Sequence, residues 1–302
     1  MNQDSDKPKT ESSKPQSNQP PADRPPDQTQ PRKPGRDRLI KRLFILALLV
    51  AAALVYFLQL EGPSFPGWDE TDLSAALETA KQKDRPVLVY FISSRPSQIA
   101  RRMAKTTLAK RDNREAIDSA ELIRVLVETS TDSDLATKYS LSKLPTMMVL
   151  SPEGVQCPTM KDYAGEFIGE VPFRNEFLEP RLDGWLDSRR HNLENALRQA
   201  KREDRPLLAL FMGVPSSGEA RRLAFTTLAA KSAREAIQKA RYLLIAARVT
   251  DEQHPLARKY GIKKLPTLVI ITPAGQQRRR EGYVKTEDFL KFLAPGASAP
   301  AD

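Results

Sequence analysis

The side chains best suited to covalent or metal chemistry are few and lie far apart. The chain of 302 residues contains one cysteine, Cys157, and two histidines, His191 and His254. A single cysteine excludes an intrachain disulfide and any pair of cysteines at redox spacing. Neither histidine has a cysteine or a second histidine at the spacing of a metal site, and His254 falls in a polar turn. The sequence therefore predicts no metal site and no bound cofactor.

A stretch built around Leu-Pro-Thr occurs twice and organises the rest of the chain. The first copy is Lys138–Gly154 and the second is Lys259–Gly275. Each copy predicts the end of an amphipathic helix, a short basic loop, an apolar strand and a Pro-x-Gly turn. The flanking segments repeat as well, since Arg85-Pro86 returns as Arg205-Pro206. The chain therefore contains an internal duplication.

The elements around this stretch follow one order in both copies. Each copy predicts a helix, a buried strand, a long helix, a second strand, a short helix, the Leu-Pro-Thr loop, a hairpin and a last helix. A strand-helix-strand unit followed by a hairpin predicts an α/β fold with a central mixed sheet flanked by helices. The predicted strands and last helices are 87–91, 122–128 and 173–178 in the first copy, and 207–211, 242–249 and 286–293 in the second.

This order resembles the thioredoxin-like superfamily over residues 68–180 and 185–294. The resemblance rests on the apolar strand, on Tyr-x-(Leu/Ile) before Leu-Pro-Thr, and on the Pro-x-Gly corner. It implies two tandem thioredoxin-like domains, 68–180 and 181–294, each with a cis proline beside the start of its long helix. The family's Cys-x-x-Cys motif would fall on Pro96, Ser97, Gln98 and Ile99 in the first copy, and on Ser216, Ser217, Gly218 and Glu219 in the second.

Neither copy carries a thiol at these positions. Disulfide exchange needs a thiolate as the attacking group, and a serine hydroxyl cannot take that role. The acidic residue typical of the family before the strand's phenylalanine is also replaced, by Tyr90 and Leu210. The ordinary redox mechanism is therefore excluded for both copies.

Two interpretations of the remaining site geometry stay open. In the first, the polar residues only cap helices: Ser216 and Glu219 have the spacing of a capping box. In the second, a binding groove survives, in which the backbone before each proline pairs with an extended peptide by strand addition. The binding positions would be Leu144, Pro145, Thr146, Leu265, Pro266 and Thr267.

Two further features have structural interpretations. Cys157 follows the first Pro-x-Gly corner, at an edge of the fold away from the long helix, so we interpret it as a structural thiol. The arginine pairs at 101–102 and 221–222 predict solvated helix faces.

The N-terminal part predicts a membrane anchor. Residues 1–38 are polar and proline-rich, which predicts a disordered tail. Within a predicted transmembrane helix at 39–60, Leu43–Leu60 has no charge, and basic residues crowd its N-terminal side. The positive-inside rule then predicts a cytoplasmic tail and extracytoplasmic domains, in the periplasm or its equivalent. A cleaved signal peptide and a buried core helix are the alternatives. A spacer at 61–67 and a disordered end at 295–302 complete the domain organisation.

Composition narrows the class of partner. The net charge of +10 is moderate, and the basic residues are not interleaved with aromatic ones as in single-strand binders, so nucleic acid is not predicted. The sequence predicts a membrane-anchored, redox-inactive protein that binds or scaffolds an extracytoplasmic protein. The alternatives are an accessory subunit or member of a thiol-disulfide oxidoreductase system, of the protein-folding or cytochrome-maturation type, and a structural spacer.

Overall fold

The computed structural model describes residues 34–60, 65, 67, 68, 72–157, 163–188 and 191–294. These residues belong to two units, one that ends at Leu60 and one that begins at Glu61. Most of the predicted tail 1–38, most of the spacer 61–67 and the predicted end 295–302 lie outside the described residues.

The first unit contains helix α1 (Pro34–Leu60), which begins before the predicted boundary at residue 39. In the part of the chain that the structure describes, no helix combines the length and the apolar character that crossing a bilayer requires. The predicted transmembrane helix 39–60 is therefore not found among those residues. The side chains of residues 56–60, which that prediction includes, lie outside them.

The second unit contains both copies of the duplication, which we call repeat 1 and repeat 2. The elements of repeat 1 are α2 (Leu73–Lys83), β1 (Val87–Ile92), α3 (Gln98–Met103), α4 (Arg111–Ser119), β2 (Ile123–Glu128), α5 (Asp134–Tyr139), β3 (Thr146–Leu150), β4 (Gln156–Cys157), β5 (Tyr163–Ala164) and α6 (Glu170–Pro172). π-Helical turns at Ala104–Leu108 and Phe173–Phe177 continue α3 and α6.

Repeat 2 follows with the same order of helices and central strands. Its elements are β6 (Leu186–Asp187), α7 (Leu193–Arg202), β7 (Leu207–Gly213), α8 (Gly218–Phe225), α9 (Lys231–Lys239), β8 (Leu243–Val249), α10 (Pro255–Lys259), β9 (Thr267–Ile271), β10 (Gln277–Glu281) and α11 (Thr286–Leu293).

Each repeat forms one mixed sheet, as predicted. The order is β2-β1-β3-β4 in repeat 1, with β5 also paired to β3, and β10-β9-β7-β8-β6 in repeat 2. In repeat 1, β1 runs parallel to β2 and antiparallel to β3, and in repeat 2 β7 has the same relation to β8 and β9. Every residue of β1 is buried, because helices cover both faces of the sheet, which explains its continuous apolar sequence.

The single long helix predicted after each first strand is in fact two helices. A Thr-Thr pair precedes the break in repeat 1 and lies within it in repeat 2. In both repeats the second hydroxyl of the pair donates a hydrogen bond to a residue outside the helix. Thr107 donates to the Ile168 carbonyl at 2.6 Å, and Thr227 donates to the Val284 carbonyl at 2.5 Å. In repeat 1 the Asn113 side chain also donates to the Thr107 carbonyl, which ends the first helical segment. The bonds to Ile168 and Val284 connect residues 61 and 57 positions apart, so helical periodicity does not reveal the break.

The two repeats share part of their hydrophobic core. Ala224, Phe225 and Ala229, from α8 and the turn after it, belong to the same buried cluster as Tyr90 and Cys157 of repeat 1. Burial of a phenylalanine side chain contributes about 1.5–3 kcal/mol. The end of α8 and the turn after it therefore pack as core elements against repeat 1.

Candidate functional site

The two Leu-Pro-Thr loops have the same conformation. The Leu144-Pro145 and Leu265-Pro266 peptide bonds are both cis, as the resemblance implied. Both prolines are buried and both leucines are half-buried. The Thr146 hydroxyl donates to the Lys143 carbonyl at 2.5 Å.

Repeat 2 reproduces these contacts. The Thr267 hydroxyl donates to the Lys264 carbonyl, also at 2.5 Å. The carbonyls of the two prolines accept from glycine amides, Gly165 in repeat 1 and Gly282 in repeat 2, each at 2.7 Å. Both loops are therefore held by the same bonds.

The helix starts that follow β1 and β7 are capped by the second residue of each former redox motif. Ser97 accepts a hydrogen bond from the Ala100 amide at 3.2 Å, and Ser217 accepts one from the Ala220 amide at 3.3 Å. The capping box predicted from Ser216 is therefore wrong by one residue. Ser216 does not cap the helix because its hydroxyl is engaged elsewhere.

In repeat 2, the start of α8 and the proline loop are brought together. The Lys264 ammonium forms an ion pair with Glu219 at 3.1 Å. Gly213, at the end of β7, lies beside the Leu265 side chain. In repeat 1, Gln98 is exposed and Pro96, Ser97 and Ile99 are half-buried, so the corresponding helix start is partly exposed.

Ser216, where the resemblance would place the first redox cysteine of repeat 2, contacts a buried carboxylate. The Ser216 hydroxyl donates to Glu179 Oε1 at 2.7 Å, and the Ser216 amide donates to Glu179 Oε2 at 3.0 Å. Arg248 forms an ion pair with the same carboxylate, and its Nη2 donates to the Pro180 carbonyl at 2.9 Å. The side chains of Arg248 and Glu179 are only 4% and 8% exposed. The C-terminal segment of repeat 1 thus fills this position with a paired charge.

Cys157 lies at the contact between the repeats. It is 2% exposed, and its thiol donates to the Phe225 carbonyl at 3.3 Å. Burial raises the pKa of Cys157 above its ordinary value, and the neighbouring Glu153 carboxylate raises it further. The thiol is therefore neutral and inaccessible, which fits the structural role predicted for it.

The arginine pairs differ between the repeats. Arg101 and Arg102 are exposed, as predicted, but the prediction of a solvated face is wrong for repeat 2. Arg221 is 5% exposed, its pKa is lowered by burial, and it donates to the Arg174 carbonyl at 3.2 Å. Arg222 forms an ion pair with Glu121. Both residues of the second pair contact repeat 1, and this contact removes them from solvent.

The sequence did contain a signal for these contacts. Ser216, Arg248 and Phe225 occupy positions that hold Pro96, Glu128 and Lys105 in repeat 1. Positions at which a duplicated chain reverses charge or polarity indicate contacts that only one copy makes. In the described ranges, no three His, Cys, Asp or Glu side chains come together as a metal site would require.

Comparisons with known proteins address the fold. Residues 193–296 match the family model of the thioredoxin-like domain. No curated protein matches the sequence significantly. Among solved structures, the reduced C-terminal domain of DsbD from Neisseria meningitidis is 22% identical, with a TM-score of 0.29, over 33% of this chain and 90% of that chain.

Two further solved structures are similar. A thioredoxin from Thermus thermophilus is 23% identical, with a TM-score of 0.31, over 36% of this chain and 85% of its own. The first two thioredoxin domains of Eps1p from Saccharomyces cerevisiae are 14% identical, with a TM-score of 0.30, over 76% of this chain and 98% of theirs. The part of this chain that the family model matches, residues 193–296, is a thioredoxin-like domain.

Proposed function

We propose that the protein is a redox-inactive, thioredoxin-like interaction protein that binds or scaffolds extracytoplasmic proteins. The observation that carries this proposal is the position of the only thiol in the sequence. Cys157 is buried against the Phe225 carbonyl, while the former redox positions hold Pro96 and Ser216. A buried neutral thiol is a poor nucleophile, because exchange requires an accessible thiolate.

Repeat 1 offers the more accessible binding groove. Pro96 at its helix start is half-buried, whereas Ser216 of repeat 2 is buried and its amide already donates to Glu179. Leu144 lies outside the strands, and no described residue forms a backbone hydrogen bond with it. An extended segment of a partner protein can therefore pair with this backbone by strand addition.

Helix α1 is the proposed attachment to a lipid bilayer, with the repeats in the extracytoplasmic space. Its large apolar side chains between Ile40 and Val55 are all more than half exposed, and basic residues precede them in the sequence. Such side chains favour a lipid environment over water. Alkaline carbonate washing of membranes checks the attachment: the full chain should stay in the pellet. Release into the supernatant would contradict it.

A disulfide-reduction assay tests the proposed lack of redox activity. We expect the full chain in detergent, supplied with a dithiol as electron donor, to reduce a protein disulfide no faster than the dithiol alone. The Cys157→Ser variant should give the same background rate. Turnover that disappears in Cys157→Ser would instead establish the competing function, a member or accessory subunit of a thiol-disulfide system that acts through Cys157.

A further inference from the structure

The two repeats pack head to tail, so that one surface of repeat 2 is covered by repeat 1. The equivalent surface of repeat 1 is not covered by repeat 2. In repeat 2 this face is formed by Gly218, Arg222 and Phe225 of α8 together with Tyr283, and we call it the covered face. Repeat 1 contacts it directly: the Cβ that an alanine would place at Gly218 lies 2.1 Å from the Ser119 carbonyl oxygen. The residues of repeat 1 that correspond in sequence are Gln98, Arg102 and Lys105. Phe167 corresponds to Tyr283 because the next residue, Ile168 or Val284, accepts from the equivalent threonine, Thr107 or Thr227. We call these four residues of repeat 1 the open face.

The two faces share their central geometry. The Arg222 guanidinium stacks 4.0 Å from the centre of the Tyr283 ring, and the Arg102 guanidinium stacks 4.2 Å from the centre of the Phe167 ring. Such stacking holds an arginine in a defined position and leaves its edge free for hydrogen bonds. Arg102 is therefore arranged as Arg222 is.

The covered face shows which chemistry this arrangement recognises. Arg222 forms an ion pair with Glu121 and donates to the Asp84 carbonyl at 3.2 Å. The Tyr283 hydroxyl donates to the Asp84 carboxylate at 2.5 Å. Asp84 ends helix α2 and Glu121 follows helix α4, and both have left-handed backbones, with φ of 49° and 52°. The occupant is thus a pair of helix C-terminal ends that carry carboxylates.

The open face is more basic than the covered one. Arg102 and Lys105 of the open face are exposed, as is the neighbouring Arg101, and none of the three forms an ion pair with a described residue. Lys105 stands where Phe225 enters the core of repeat 1. A complementary surface must therefore supply negative charge rather than an apolar pocket.

Repeat 2 of a second copy of the chain does not supply the negative charge that the open face requires. The surface of repeat 2 that corresponds to Asp84, Glu121 and Ser119 carries Asp204, Arg241 and Lys239. Asp204 and Arg241 keep the left-handed backbone, with φ of 49° and 55°, so the shape is retained while the charge is reversed. Arg241 and Lys239 would face the cations of the open face, and like charges at a contact oppose association.

We propose that the open face docks a separate protein through an acidic surface made of helix C-terminal ends that carry carboxylates. This inference rests on the proposed function, since it supplies the surface and the partner chemistry of a non-catalytic interaction protein. A carboxylate of the partner pairs with the Arg102 guanidinium as Glu121 pairs with Arg222, and further acidic groups face Arg101 and Lys105.

The test restores an acidic surface on repeat 2, so that the chain becomes its own probe. The probe is the full chain with Arg241→Glu and Lys239→Ser, and both changed positions are exposed. We expect its weight-average mass in detergent, measured by sedimentation, to rise as the protein concentration is increased. The mass of the wild type should stay constant over the same concentrations. Adding Arg102→Glu to the probe should return the mass to that of the wild type.

A matched variant separates docking from a general effect of charge. Lys201→Ser with Arg202→Glu removes the same charge from exposed positions of α7 and should behave as the wild type. No rise in mass for the probe, a rise that Arg102→Glu leaves unchanged, or an equal rise for the matched variant would each overturn the proposal. None of these results depends on thiol turnover, so the redox assay separately tests the proposed function.

Discussion

The residue type at position 96 or 216 decides whether a carboxylate can bind there. Ser216 has an amide and a hydroxyl that both donate to Glu179, whereas Pro96 at the matching position has neither donor. A carboxylate at this place is stabilised by these bonds and by Arg248. Repeat 2 therefore has an internal occupant beside Ser216, and repeat 1 has no such bond to Pro96.

This arrangement makes Glu179 a critical residue for stability. Glu179→Ala leaves the Arg248 guanidinium, whose side chain is 4% exposed, without its carboxylate. We expect the free energy of unfolding to fall by about 3–5 kcal/mol, because an unpaired buried charge is costly. Urea unfolding followed by circular dichroism measures this loss.

The exposed ion pair between Lys259 and Glu194 provides the control for that measurement. Glu194→Ala should lower the stability far less, because solvent screens the pair. Similar small losses for both variants would show that Arg248 finds another partner, and would contradict the role assigned to Glu179.

At the scale of elements, the sequence predicts what is encoded locally. The strands are recognisable because runs such as Val87–Phe91 are continuously apolar, and the proline loops because Leu-Pro-Thr follows a helix end. The long helices were predicted as single segments because their periodicity continues across the Thr-Thr pairs. The tertiary bond from Thr107 to Ile168 at the break in repeat 1 leaves no trace in that periodicity.

The candidate site is less predictable because it depends on contacts between distant residues. Arg248 and Glu179 are 69 positions apart, and Cys157 and Phe225 are 68 positions apart. Neither periodicity nor motif spacing connects such pairs. The duplication does help to predict these contacts. Repeat 1 has Glu128 and Lys105 where repeat 2 has Arg248 and Phe225, and such differences indicate that the two copies have different neighbours at these positions.

At the scale of the whole molecule, the repeats form a directional pair within the unit that begins at Glu61. Repeat 1 uses its Asp84 and Glu121 surface to bind repeat 2, and keeps its own arginine face exposed. A head-to-tail contact of this kind can in principle propagate into a filament. In the proposed docking, Arg241 stands where repeat 1 has Glu121, and this reversal of charge opposes binding of repeat 2 to the open face of another copy.

The close approach of the repeats can be tested at Gly218, the first residue of α8. Its φ is not in the left-handed region, so an alanine suits its backbone and would by helix propensity stabilise the chain by about 1 kcal/mol. The interface predicts the opposite sign, because the new Cβ would lie 2.1 Å from the Ser119 carbonyl oxygen. We expect Gly218→Ala to lower the free energy of unfolding by about 1–3 kcal/mol through overpacking.

A second readout of Gly218→Ala separates an opened interface from a locally distorted helix. Cys157 is buried against Phe225, so maleimide labelling of the folded variant should be faster than labelling of the folded wild type. Gly169→Ala is the control, since its Cβ would meet only Pro172 at an ordinary 3.7 Å, and its labelling rate should not change. A more stable Gly218→Ala variant with unchanged labelling would mean that the two repeats do not pack through α8.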